Sequence, residues 1–139
     1  MPVRAKGWAH SFPVSGGVRV GRQWTRDTLA SLEWAAQEPD LVDAVVLAVS
    51  ELLTNAHVHA HSDARLVLAW DGFCLHVSVH DESAELPEEK DADIDDLSGR
   101  GVSIVRNLAD SWQTYCQRHG KTVTACFEPR IPEQNRVSD

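Results

Sequence analysis

The sequence predicts a two-layer α+β sandwich, a mostly antiparallel sheet with helices on one face. Three observations predict it: two pairs of strand-like runs joined across short glycine turns, one long helical stretch with a broad apolar arc, and no βαβ alternation. With 139 residues, 42% of them apolar, the chain reads as one compact domain, because a chain of this size buries roughly two-thirds of its unfolded surface.

Residues 8–14 read as an edge strand. Gly16 and Gly17 then open a helical stretch in which Val18, Thr25, Leu29, Leu32 and Ala36 recur at helical spacing, and Pro39 closes it. A second helix is expected from Asp40, as N-cap, to about Ala60. Its Val42, Val45, Val46, Val49, Leu52, Leu53 and Ala56 form one arc, that of a central core helix. Residues 64–70 and 74–81 are strand-like and flank Asp71-Gly72-Phe73, a hairpin signal. A further helix is expected after Gly99-Arg100-Gly101, from the spacing of Val102, Val105, Leu108 and Ala109. Residues 112–118 and 121–128 are expected to form a second hairpin around His119-Gly120, and the polar tail at 129–139 is expected to be loose.

The formal charge is −8, which argues against direct nucleic-acid binding and against an anionic-membrane binder. All of that excess lies between Asp81 and Asp96, where nine acids meet one base; the rest of the chain is balanced. So charged a segment, with Pro87 and few apolar residues, reads as a mobile surface loop or as a lid over a site. No signal-peptide core is present at the start, and the densest apolar stretch, residues 41–49, is too short to span a bilayer, so a cytoplasmic location is expected. Cys74, Cys116 and Cys126 show no CxxC pairing. They are read as reduced strand residues, with neither a disulfide framework nor a thiolate zinc site indicated.

At about 100° per residue, Ala48, Glu51, Asn55 and His59 fall on one stripe of the second helix, beside its apolar arc. Alone, this is an ordinary solvated stripe. Parity along the second hairpin strand, however, turns Asp81 to the same face as Leu75, Val77 and Val79, so a carboxylate is aimed at the helix layer and needs a partner there. The glycine turn at 99–101 offers backbone N–H groups and a helix N-terminus, an arrangement that accepts phosphate oxygens.

Three segments carry a family resemblance: ELLTNAHVHA at 51–60, VHDES at 79–83 and SGRGVSIVRNLAD at 98–110. They resemble the asparagine box and two glycine boxes of the GHKL superfamily, with its Bergerat ATP-binding fold. The spelling of the first box is similar to that of bacterial anti-sigma-factor serine/threonine kinases of the actinobacterial single-domain type. The resemblance covers about residues 10–128.

The resemblance implies ATP and Mg2+ as cofactors. Asn55 would give a neutral oxygen to the metal bridging the triphosphate. Glu51 would orient or deprotonate the attacking hydroxyl, and Asp81 would accept the adenine amino group. Gly99, Arg100, Gly101 and Val102 would lie along the phosphates, and His59 near them. Residues 82–98 would be an acidic ATP lid. The implied partners are a sigma factor and an anti-anti-sigma (STAS) protein, and a homodimer is implied as well.

The sequence departs from the family where Ser83 and Glu85 replace glycines. It departs again where the threonine after the hairpin glycine corresponds to Lys121, with Thr122 one place on; either could contact nucleotide. These departures support a second reading, a binding-only switch that transfers nothing. A third, the detached ATP-binding module of a histidine kinase, lacks a phosphoacceptor helix. His57, His59 and His61 cannot converge on one zinc if helical, and His57 is expected to face solvent. The five tryptophans read as core or interface anchors. Arg19, Arg22 and Arg26 form either a solvated ridge or a docking surface for an acidic partner.

Overall fold

The computed structural model describes residues 5–13, 16–60, 63–82, 108–117 and 120–130, without the side chains of His59, Ala60 and Gln117. Five strands form one antiparallel sheet: β1 (Lys6–Phe12), β2 (Ala64–Trp70), β3 (Leu75–Asp81), β4 (Ser111–Gln117) and β5 (Gly120–Phe127), in the spatial order β1-β2-β3-β5-β4. Two helices, α1 (Gly17–Leu29) and α2 (Pro39–Ala60), pack on one face of it. The α+β class is as the sequence predicts. The helix expected after Gly101 lies outside the described residues, apart from Leu108, which is helical, and Ala109, which is not.

Alternation builds the core. Ala64, Leu66, Leu68 and Trp70 of β2, with Leu75, Val77 and Val79 of β3, point to the helices and are buried. They meet Val45, Val49, Leu52, Leu53 and Ala56 of α2. Over Pro39–Val58 that helix has the length and mean hydropathy, 1.5, of a membrane span. Its buried arc shows where the apolarity goes, into the space between α1 and the sheet. Gly21 sets the closeness of the two helices, since a Cβ there would come within 2.4 Å of the Leu53 side chain. Trp34 and Trp70 pack ring to ring at 5.6 Å in the core, as expected for anchors.

Three expectations need correction. Pro39 opens α2 rather than closing the preceding segment, with Glu38 O accepting the N–H groups of Leu41 and Val42; a proline is well suited to a first helical position, where its missing donor goes unneeded. Leu32 and Ala36 are not part of α1, which stops at Leu29, and a short 3-10 helix follows at Glu33–Gln37. His57 does not face solvent. It is wedged between α1 and β1, its Nε2 3.4 Å from Phe12 O, while its Nδ1 has no partner among the described residues. Helical spacing sets it beside Leu53 at the margin of the apolar arc, and α1 covers that margin.

Candidate functional site

β3 ends on Asp81. Its carboxylate shares the helix-side face with Val77 and Val79 and is 3% exposed. In the β3–β5 ladder its partner is Lys121, and the Lys121 Nζ donates to Asp81 Oδ2 at 2.9 Å. Lys121 is itself buried, at 8% exposure. Two charges taken out of water are tolerable only when each neutralises the other, and here they do so across one rung of the sheet.

The backbone that sets this rung depends on Gly120. It has φ +146°, and a Cβ on it would fall 2.1 Å from the Asp81 carbonyl oxygen. A glycine is therefore required for β5 to approach β3 this closely at the level of the carboxylate.

Topology brings the helix residues to the same end. Arg65 opposes His80, so Asp81 lies where β2 begins, and α2 ends only a few residues before β2. The C-terminal half of α2, with Asn55, is thus at Asp81's end of the sheet. α1 packs on the flank of α2 that carries Leu53 and His57 and leans toward β1. Asn55 and Glu51 occupy the opposite flank, which faces the β5 and β4 half of the sheet. Both are half-buried, and among the described residues neither makes a side-chain hydrogen bond. Trp112, Thr114 and Val123 on that half are likewise only half-buried. A polar helix flank and a strand-terminal carboxylate therefore border the same half-open region.

Of the other residues singled out from the sequence, Thr122 does not join this region. It lies on the far face of the sheet, where its Oγ1 is 2.9 Å from His80 Nδ1. Parity decides between it and Lys121: only Lys121 shares Asp81's face. The side chain of His59, the turn with Gly99, Arg100, Gly101 and Val102, and most of the 82–98 segment lie outside the described residues, as does 131–139 of the tail.

The donor set fits a nucleotide with its magnesium. Asn55 offers a carboxamide oxygen of the hard, neutral kind that a magnesium ion accepts, and Asp81 is a buried acceptor of the kind that an exocyclic amine satisfies. What sequence reasoning did not foresee is the resident counter-ion, Lys121, on that acceptor.

The sequence profile of the histidine kinase-like ATPase domain family matches residues 18–127, most of the chain. The chain belongs to this family. No curated protein matches significantly. Among solved structures, one chain of the SiaB-SiaC complex from Pseudomonas aeruginosa is similar, with a TM-score of 0.63 at 15% identity, covering 90% of this chain and 89% of that one. At that identity the likeness concerns the fold. The histidine kinase-like ATPase (GHKL) domain and its α+β sheet-and-helix arrangement are those of the Bergerat fold.

Proposed function

We propose that this GHKL domain is a cytoplasmic ATP- and magnesium-dependent regulatory kinase of the anti-sigma type, which sequesters a sigma factor and phosphorylates a serine or threonine of an anti-anti-sigma (STAS) partner. The observation that carries the proposal is the placement of Asn55 and Glu51 on the one flank of α2 that looks onto Asp81's end of the sheet. Bound magnesium-ATP would supply the phosphoryl group and offset its charge. Asn55 would hold the metal, Asp81 would orient the base, and Glu51, partly solvated one helical turn before Asn55, would receive the proton of the attacking hydroxyl. In the family pattern Gly99, Arg100, Gly101, Val102 and His59 would meet the phosphates. A protein partner is in keeping with the solved relative, which by its title is a SiaB-SiaC complex. The exposed ridge of α1 offers a surface for a partner or for a second copy. There Arg26 pairs with Asp43 at 3.0 Å and Arg22 reaches Ser50 at 3.3 Å.

The Asp81–Lys121 ion pair favours a second reading, a binding-only switch, because a carboxylate already neutralised is a poorer acceptor for a base. Labelled ATP and a STAS-type partner separate the two. The kinase reading expects transfer by the wild type and its loss in Glu51→Ala. Transfer that persists undiminished in the variant removes Glu51 from the mechanism, and no transfer by the wild type leaves the switch.

A further inference from the structure

The open face of the sheet carries a second cluster, at the other end of β3. Cys74 and His76, two residues apart on one strand line, share a face, and the ladder sets His76 opposite Cys126. The ligand atoms of Cys74, His76 and Cys126 all lie within 4.8 Å of one another, and Cys126 Sγ is 3.3 Å from His76 Nδ1. One step along, Cys74 Sγ donates to Glu128 Oε2 at 3.6 Å. The far nitrogen of the ring, His76 Nε2, is 2.9 Å from Asp71 Oδ2. The other oxygen of Asp71 accepts the N–H groups of Phe73 and Cys74 at 2.8 Å each, which fixes the hairpin turn.

We infer that this cluster is a structural zinc site, with Cys74 Sγ, His76 Nδ1, Cys126 Sγ and the Glu128 carboxylate as ligands and Asp71 orienting the histidine. Two thiolates with an imidazole are the soft and borderline donors that select zinc over magnesium or calcium. Tetrahedral zinc with bonds near 2.3 Å to sulfur sets its ligands about 3.7 Å apart, so this cluster needs only a small contraction. Glu128 is exposed and can swing in as the fourth ligand. An imidazole whose other nitrogen is held by a carboxylate is the usual outer-shell arrangement of a zinc histidine. The three half-buried ligands join the start of β3 to the end of β5, so a bound metal would clasp the two strands together. The reading of three reduced strand cysteines is corrected at Cys74, which precedes β3, and its sulfur lies within 4.8 Å of the Cys126 sulfur. The site does not depend on the kinase reading; seven residues of strand, roughly 23 Å, separate Cys74 from Asp81.

The test uses the full chain purified under reducing conditions without chelator, followed by metal analysis and replacement of zinc with cobalt. About one zinc per chain is expected, with a sulfur-to-cobalt charge-transfer band and tetrahedral visible bands. Both should be lost in Cys74→Ser/Cys126→Ser and kept in Cys116→Ser. Asp71→Asn should weaken zinc binding roughly 10- to 100-fold. A wild type with no zinc and no charge-transfer band overturns the proposal, as does a Cys74–Cys126 disulfide that re-forms in the presence of zinc. Zinc retained at equal affinity by the double variant overturns it too. Should the double variant fail to fold, the wild-type cobalt spectrum decides alone.

Discussion

The two ends of β3 pose opposite electrostatic problems on opposite faces of the sheet. At its C-terminal end Asp81 turns inward and meets Lys121, and the two buried charges offset each other. At its N-terminal end Cys74 and His76 turn outward and meet Cys126, a cluster of half-buried donors. The same pair of strands, β3 and β5, supplies both. The contrast teaches that one step of parity along a strand changes a hard, low-dielectric ion pair into a soft, metal-seeking cluster.

The comparison breaks most violently at Lys121. Replacing it with Leu strands Asp81 as a buried charge and should cost about 3–5 kcal/mol, while Asp81→Leu/Lys121→Leu should recover most of that loss. Urea unfolding of the three proteins checks it. If the single variant is as stable as the wild type, the pair is not buried as described. A smaller effect is expected at Gly120, where Ala should cost about 2–3 kcal/mol through its positive φ and the contact with the Asp81 carbonyl. Thermal melts of Gly120→Ala beside Gly16→Ala sharpen the point, because Gly16 also has a positive φ but nothing within 4 Å of its would-be Cβ. Gly16→Ala should therefore cost only about 1 kcal/mol.

Much of this was legible in the chain alone. Period-2 alternation gave both hairpins and aimed Asp81 at the helices; period 3.6 gave α2 and the flank shared by Glu51 and Asn55. What stayed hidden depends on long-range packing. His57 lies at the edge of the arc, and only the position of α1 decides that this edge is covered. Cys74 and Cys126 are far apart in sequence, and spacing rules for local zinc motifs are blind to ligands joined by strand register; the Cys74/His76 interval was the one local signal. The partnership of Asp81 with Lys121 likewise needed the β3–β5 register. Once that is known, parity removes Thr122.

The central claim is that the Asn55 flank of α2 and Asp81 grip a nucleotide together, and calorimetric titration of the full chain tests it most directly. ATP and ADP are each injected with and without magnesium, into the wild type and Asn55→Ala. The account predicts saturable binding of both nucleotides, with magnesium strengthening ATP binding in the wild type and having no such effect in Asn55→Ala. Absence of heat from either nucleotide at millimolar concentration, or a magnesium effect that survives loss of Asn55, contradicts it.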